Sequence, residues 1–339
     1  MKILITGGAG FIGSNFIRHM LNKYDYEIIN LDLLTYAGNL NNLKDIKSTR
    51  YKFSKGDIRD SRIIESLAKE CDCIINFAAE SHVDRSITDP APFITTNING
   101  MHVLLEAARK FNIQKFIQIS TDEVYGSIAH GSFDEDSRLH PNSPYSAAKA
   151  SADLLAKSYF VTYGLPIIIT RSSNNFGQFQ YPEKVIPLFI TNLLEGKKIP
   201  LYGDGLNVRD WLYVLDNCDA IDFIMHNGKD GEIYNIAGEN EKTNLEITKL
   251  LLKKLKKDHS SIQYVKDRPG HDRRYSISMQ KLENLGWKPK YKFEEALDET
   301  IEWYKENQNW WSPLKLDEKS TKPPQCAFRE TFKATRRGA

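Results

Sequence analysis

Met1-Lys-Ile-Leu-Ile-Thr-Gly7-Gly-Ala-Gly10-Phe-Ile-Gly13 opens the chain. Ile3–Thr6 is a short apolar run that reads as a buried strand, and the apolar spacing of Phe11–Lys23 reads as a helix. Between them Gly7, Gly10 and Gly13 form a G-x-x-G-x-x-G run, with Phe11 and Ile12 inside it. Such glycines permit a tight turn, close approach of backbone to a pyrophosphate, and close packing of helix on strand. The N–H groups at the helix start then face the phosphates. A glycine run alone also serves ordinary strand–helix turns, so its context decides. Asp32 ends a second apolar run, Glu27–Asp32, nineteen positions after Gly13. An acid there bonds the adenosine ribose hydroxyls and repels a 2′-phosphate, which favours NAD over NADP. Asp57-Ile58 follows a third run. Asp57 either accepts from the adenine amino group or caps the next helix, and both hold if Asp60 is the cap.

Outward from this turn, short apolar runs alternate with helical patterns. Tyr51–Gly56, Cys73–Ala79, Phe116–Thr121 and Ile167–Arg171 read as further strands. Several are nearly continuous Ile, Leu, Val and Phe, as in strands buried on both faces of a parallel sheet. Helical spacing is found over Asp60–Lys69, Ala91–Phe111 and Ser146–Tyr163. The alternation predicts an α/β fold with a Rossmann-type doubly wound parallel sheet over residues 1–172. A smaller C-terminal α/β substrate-binding lobe is expected over 173–311, with a return to the sheet around 207–237. That lobe reads as helices at Pro182–Leu194, Asn244–Lys257, Met279–Leu285 and Phe293–Asn307, with a strand at Glu232–Ala237. Residues 312–339 show little periodicity and end in small and basic residues, which reads as a poorly ordered tail.

Bulk properties exclude several classes. The chain has 339 residues, 41% hydrophobic and 27% charged, with a formal net charge of +2. So balanced a charge gives no reason to expect nucleic acid or membrane as a partner. No apolar run approaches the ~20 residues of a membrane span, and no leader sequence fits before the first strand. Four scattered cysteines make no disulfide framework, and Cys71-Asp-Cys73 opens a strand without a second pair, so no metal site is expected. A cytoplasmic protein is the default.

The chemistry is carried by Ser120-Thr-Asp-Glu-Val-Tyr-Gly126 and by Tyr145-Ser-Ala-Ala-Lys149. Tyr145 and Lys149, four apart at the start of a helix after Pro144, share one face. Such a pair serves hydride chemistry at a nicotinamide, with Lys149 expected to lower the phenol pKa and to hold the ribose. Asp122 and Glu123 add an acid and a base, which permits loss of water. Neighbouring carboxyls with different tasks need environments that push their pKa values apart.

Taken together, these segments resemble the extended short-chain dehydrogenase/reductase superfamily over about Met1–Leu314. Ala78-Ala-Glu-Ser-His-Val-Asp-Arg-Ser86, Arg171-Ser-Ser-Asn-Asn-Phe-Gly177, Arg209-Asp-Trp211 and Asp267-Arg-Pro-Gly-His271 are similar to the nucleotide-sugar 4,6-dehydratases within it. The resemblance implies dTDP-glucose as substrate and tightly held NAD. By that resemblance Tyr145 takes the C4 hydroxyl proton while hydride passes from C4 to NAD⁺, with Thr121 on O4; Glu123 then takes the C5 proton, Asp122 protonates the C6 hydroxyl, and hydride returns to C6. By the same resemblance Thr35, Ala78, Ala79, Thr96 and Asn175 adjoin the cofactor. Ser81, Asn174, Lys184, Val185, Pro200, Tyr202, Arg209, Asn235, Arg268 and His271 adjoin the substrate, with no proton transfer assigned to His82 or His271. A homodimer through helices around Thr96–Arg109 and Ser146–Tyr159 is also implied, as is a place in deoxysugar supply such as rhamnose. Competing readings are a 4-epimerase, a 4,6-dehydratase of another nucleotide, and a non-catalytic NAD-binding regulator. Asp122-Glu123 opposes the first, Asp32 opposes an NADP-dependent enzyme, and an intact Thr/Asp/Glu/Tyr/Lys set opposes the last.

Overall fold

The computed structural model describes residues 1–267 and 270–321. The first half alternates as the apolar pattern predicts: β1 (Lys2–Thr6), α1 (Phe11–Lys23), β2 (Glu27–Asp32), β3 (Tyr51–Lys55), α2 (Ser61–Ala68) and β4 (Cys73–Asn76). α3 (Val83–Thr88), α4 (Ala91–Phe93) and α5 (Met101–Lys110) follow, then β5 (Lys115–Thr121), α6 (Pro144–Tyr163) and β6 (Ile167–Ser172). The second half holds β7 (Asn174–Phe176), α7 (Val185–Leu194), β8 (Ile199–Tyr202), β9 (Val208–Tyr213), α8 (Val214–Asn227) and β10 (Ile233–Ile236). It ends with β11 (Glu241–Thr243), α9 (Asn244–Lys254), β12 (Ile262–Val265), α10 (Gln280–Asn284), α11 (Phe293–Glu306) and α12 (Gln308–Thr321).

Seven parallel strands form the central sheet in the order β10-β6-β5-β4-β1-β2-β3. The order reverses between β1 and β4, where the chain leaves the sheet to opposite faces and a crevice opens at the C-terminal strand ends. Alternate residues of one strand enter different cores. Ile3 and Ile5 pack with Phe16, Ile17 and Met20, while Leu4 packs with Ile29, Ile74 and Leu104. Burial on both faces is why these strands read as unbroken apolar runs, each such side chain contributing roughly 1.5–3 kcal/mol. One polar rung crosses this apolar sheet: Thr6 Oγ1 donates to Asn76 Oδ1 at 2.6 Å, and Asn76 Nδ2 to Gln118 Oε1 at 2.8 Å.

Four expectations change. The strand expected through Ala79 stops at Asn76, because Phe77–Ala79 turns beneath Gly7 at the crevice. The helix expected over Ala91–Phe111 contains a π-helical stretch, Ile94–Gly100, in which Asn97 pairs both backbone groups of Glu80 at 2.9 and 3.1 Å. α8 was not expected. Its apolar spacing, Val214, Cys218, Ile221 and Met225, is broken up by Asp216, Asn217 and Asp222, all three buried. Finally, residues 312–321 of the expected loose tail continue α12, anchored by buried Trp310 and Trp311; the rest of that tail lies outside the described residues. The lobe after β6 contributes two small sheets, β11-β9-β7 and β12-β8, and returns β10 to the edge of the large one.

α8 packs on α1 through Asp222. Its carboxylate meets His19 Nε2 at 2.8 Å and Lys23 Nζ at 2.6 Å. Burial pushes this acid upward, but the hydrogen bonds from His19 and Lys23 outweigh it and hold the pKa at about 2. A pKa depressed in the fold contributes stability above the unfolded value near ~4, lost as pH falls through the folded one. Asp222→Asn is therefore expected to cost on the order of 2 kcal/mol at pH 7. Thermal midpoints should fall by several degrees at pH 7 and converge with the parent as pH drops from about 4 towards 2.

Candidate active site

The glycine turn is built by close approach. Gly7 has φ +71°, and a methyl group on it would lie 2.6 Å from the Ala78 nitrogen. A methyl on Gly13 would lie 2.5 Å from the Gly7 carbonyl oxygen. At Gly8, which the spacing argument passed over, a methyl would meet side chains rather than backbone, those of Asn30 and Ile17. No side chain caps the start of α1 at Gly10, so its first-turn N–H groups remain available to an anion. The Asp32 carboxylate accepts from Ala9 N at 2.9 Å and Leu34 N at 2.8 Å. Burial pushes its pKa upward and these backbone bonds oppose that; its partners are N–H groups rather than a cation. Asp60 caps α2, which leaves Asp57 free of that task, and Asp57 is instead held low by hydrogen bonds from Arg59.

A cleft of about 660 Å³ opens here. Gly7, Gly10, Phe11, Ile12, Gly13, Asp32, Thr35, Asp57, Ile58, Ala78, Ala79, Thr96, Tyr145 and Lys149 line it, as do Ser81 and Lys184. An acid at the ribose position, a cradle without Cβ atoms and an uncapped helix start fit a dinucleotide. Asn175 is the exception among the expected cofactor residues. It is outside the cleft wall because its amide donates inward to Ser172 Oγ and the Ser173 carbonyl. Also unanticipated were Glu183 and Arg85. Arg85 Nη2 lies 3.2 Å from Glu183 Oε2, and its guanidinium sits 3.7 Å above the Tyr36 ring, beside Lys184.

The reacting groups converge from β5 and α6. Thr121 ends β5 and its hydroxyl caps the short 3₁₀ turn Asp122–Tyr125, accepting from Glu123 N at 3.3 Å. α6 begins at Pro144 with a capping box between Ser143 and Ser146, which fixes where Tyr145 and Lys149 emerge. Asp122 is 2% exposed. Thr121 Oγ1 donates to its Oδ1 at 3.2 Å, while Oδ2 has no partner. Burial, then the charge of Glu123, lifts Asp122 to about 8, so it is protonated at neutral pH. Its neighbour Glu123 is less buried.

Lys149 Nζ donates to the Ile119 carbonyl at 2.5 Å. Burial draws its pKa down to about 8, opposed by Asp153. Asp153 itself is buried, paired with Arg171 Nε at 2.9 Å and accepting from Ser120 Oγ at 3.0 Å. The expectation that Lys149 draws the Tyr145 phenol down is not met by the chain alone. Burial, then Glu123 and Asp122, push Tyr145 upward, with its hydrogen bond to Thr121 pulling the other way. The reason is that two carboxyls and a dry site disfavour a phenolate more than a lysine engaged with Ile119 favours it.

On the substrate side, Arg209 donates to the Val208 and Asp272 carbonyls, lies 4.1 Å over the Tyr275 ring, and lowers the pKa of Asp122. Tyr275, unseen in the sequence, shares this neighbourhood, since Glu123 contributes to its raised pKa. Lys184 Nζ binds the Ser81 carbonyl at 3.0 Å, and Val185 begins α7 beside it. Tyr202 meets His271 edge-on at 6.2 Å; Pro200 lies on the same strand. Asn174 is half-buried with an unpartnered Oδ1. Arg268 lies outside the described residues. Asn235 is a correction. It is fully buried and accepts from Tyr125 while donating to the Phe133 and Ser278 carbonyls, so no polar atom of its amide is left for a ligand. Asn244, at the start of α9 and opposite the Arg209 segment, has by contrast a buried Oδ1 without a partner among the described residues.

Comparison with known proteins places this geometry. A family model described as GDP-mannose 4,6 dehydratase matches residues 4–300. A dTDP-glucose 4,6-dehydratase of Streptomyces niveus is 47% identical over 336 residues, covering 97% of this chain and 100% of the relative. The chain belongs to the dTDP-glucose 4,6-dehydratase family. Within that family, DesIV (dTDP-glucose 4,6-dehydratase) of Streptomyces venezuelae, crystallised with NAD and TYD bound, superposes with a TM-score of 0.91. It is 49% identical, covering 93% of this chain and 100% of that one. The dTDP-glucose 4,6-dehydratase of Bacillus anthracis, solved in complex with NAD, gives 0.88 at 54% identity, covering 93% and 99%. The fold is thus the extended short-chain dehydrogenase/reductase fold.

The raised Asp122 has a thermodynamic signature. An unfolded aspartate ionises near ~4, whereas the folded one holds its proton to about 8. Across that window the folded chain binds more protons than the unfolded one, so stability falls as pH rises. Asp122→Asn removes this cost. The variant should melt several degrees above the parent at pH 8, with the two midpoints meeting near pH 4; equal midpoints at pH 8 would mean that Asp122 is ionised in the fold.

Proposed function

We propose that the chain is an NAD-dependent hydro-lyase that converts dTDP-glucose to dTDP-4-keto-6-deoxyglucose and water, in deoxysugar biosynthesis of the rhamnose type. The single observation that carries this reading is the buried Asp122 carboxyl beside Glu123, adjoining the Tyr145–Lys149 pair. An oxidoreductase or epimerase needs the pair but has no use for two adjacent carboxyls in unequal environments. Family membership and the fit of the cleft to a dinucleotide support the reading.

Each residue then has one task. Bound NAD⁺ supplies the hydride acceptor at C4 and the hydride returned to C6, and its positive ring favours the Tyr145 phenolate. Tyr145 takes the C4 hydroxyl proton while Thr121 orients O4 and Lys149 holds the ribose. The C4 ketone acidifies C5, from which Glu123 removes a proton. Asp122 gives its proton to the C6 hydroxyl, which departs as water. Glu123 returns its proton to C5 as hydride returns to C6, so the net redox change is zero because the hydride taken from C4 is given back; the proton left on Tyr145 and the one lost from Asp122 balance through solvent. Gly7, Gly10, Gly13 and Asp32 hold the cofactor. Arg209 and Asn244, with Ser81, Asn174, Lys184, Val185, Pro200, Tyr202 and His271, receive the nucleotide sugar, guanidinium donors being matched to diphosphate oxygens. On this assignment residues 1–172 with β10 form the cofactor domain and 173–311 the main part of the substrate lobe.

We also infer a homodimer through α5 and α6. Leu154 (59% exposed), Val161 (73%) and Tyr163 (53%) leave large apolar side chains uncovered along α6, as does Ile94 (50%) before α5. A cytoplasmic setting is the companion reading. It is supported by unpaired thiols at Cys71, Cys73 and Cys218 and by the lack, among the described residues, of a helix long and apolar enough to cross a membrane.

Incubation with dTDP-glucose is expected to yield the alkali-induced ultraviolet absorbance of a 4-keto sugar, without net NADH. NADH accumulation or a galactose product would sink the dehydratase reading, and faster turnover of UDP-glucose would change the nucleotide. Glu123→Gln and Asp122→Asn should each slow elimination by ~10²-fold or more while leaving C4 hydride abstraction measurable in single turnover. Elimination at the parental rate in both variants would refute the assigned roles.

A further inference from the structure

The last two helices among the described residues, α11 and α12, reach back to the glycine turn. Trp310 Nε1 donates to Asn42 Oδ1 at 2.8 Å, and Asn42 Nδ2 donates to the Ala9 carbonyl at 2.9 Å. Asn42 is 1% exposed and Trp310 9%, so both bonds are shielded from water. The same Ala9 peptide segment is held from its other side, where Ala9 N donates to Asp32 Oδ2 at 2.9 Å. Asn39 N adds a second donor to the Ala9 carbonyl at 3.0 Å. The glycine turn and the ribose acid are thus one hydrogen-bonded unit, and Trp310 closes its outer end.

The opposite bank of the cleft is gripped by the same helices. Tyr304 OH donates to the Gln180 carbonyl, and Trp311 Nε1 fixes Tyr304 through its carbonyl at 2.7 Å. Phe179 takes φ +67°, rare for an aromatic residue, and its ring packs edge-on against Trp303 at 4.8 Å and Trp310 at 5.9 Å. Phe179 and Gln180 both line the cleft. α11 and α12 therefore back the cleft from two sides, through Asn42 and through Phe179 and Gln180, while no described side chain of theirs lines its wall.

We propose that α11 and α12 are a clasp that retains NAD, with Trp310 and Asn42 as positioning residues for the Ala9–Asp32 unit and Trp303 and Tyr304 as positioning residues for the Phe179–Gln180 bank. The need follows from the chemistry proposed above, on which this inference rests. Hydride removed at C4 must return to C6 of the same sugar, so a cofactor that leaves between the two steps aborts the turnover. Ordinary dehydrogenases release their reduced cofactor each cycle; this reaction requires that it stay.

The test is cofactor retention, read without substrate. Holoenzyme loaded with NAD is diluted into NAD-free buffer, and released NAD is quantified against time by an enzymatic cycling assay. Trp310→Phe keeps the ring but loses the N–H, and Asn42→Asp keeps the acceptor for Trp310 but loses the donor to Ala9. Each is expected to release NAD on the order of tenfold faster, the scale of one buried hydrogen bond. All samples are measured 20 °C below their own melting midpoints, so a general loss of stability does not enter the comparison. Release within twofold of the parent in both variants overturns the clasp. A parent chain that binds no NAD overturns the cofactor reading and the clasp with it; a parent that binds NAD but does not turn over dTDP-glucose leaves the retention comparison to decide the clasp alone.

Discussion

The structure depends on one close approach. β1 ends at Thr6, and the next residue must pass so near the chain leaving β4 that a methyl at Gly7 would sit 2.6 Å from the Ala78 nitrogen. Any other residue would push β1 and β4 apart at the point where the sheet order reverses. The crevice exists because those two strands stay paired up to Thr6 and Asn76 and then diverge. From there Asp32, Thr121 and the start of α6 come to one rim, each at the end of a strand or the beginning of a helix. The buried rung of Thr6, Asn76 and Gln118 keeps the registers of β1, β4 and β5 from slipping, since a slip would strand an amide in an apolar sheet.

Upon that frame the site works by unequal burial. Asp122 and Glu123 are adjacent in sequence, yet the 3₁₀ turn sends one into the interior and leaves the other partly open. Desolvation alone favours the neutral form of the inner acid, and the charge of its neighbour reinforces this. The outcome is two neighbouring carboxyls in unequal environments, with the charge of Arg209 partly opposing the upward push on Asp122. Lys149 is subject to the same drying. The buried Asp153–Arg171 pair behind it, tied to Ser120, supplies the charge that opposes its neutralisation.

Much of this was legible in the chain. The period of apolar residues marked β1, α1, β2 and α6 nearly to the residue, because strands buried on both faces leave no polar interruption. The glycine spacing and Asp32 marked the cofactor bank for the same reason that any backbone-built site is legible: only glycine fits. Side chains brought together from distant segments were harder. Asn235 and Asn244 both follow Arg209 within a few dozen residues, and nothing in composition tells which amide is used up by internal bonds. Asn235 is saturated by Tyr125, Phe133 and Ser278, whereas Asn244 Oδ1 has no partner among the described residues. Likewise α8 escaped notice because Asp222 looks like a surface residue until His19 and Lys23 are seen around it.

The sequence by itself determined the main strands and helices of the large sheet up to β6 and the glycine turn, because each depends on local spacing or on a residue type without substitute. Only the tertiary structure decided which carboxyl is neutral, since that is a matter of how much water reaches each one. It also decided the fate of the C-terminal residues. Their aromatics show no period worth reading, yet Trp310 finds Asn42, 268 positions earlier, and through it the glycine turn. Contacts of that separation leave no local pattern, because the bond is made between two segments that share nothing but the space they are folded into.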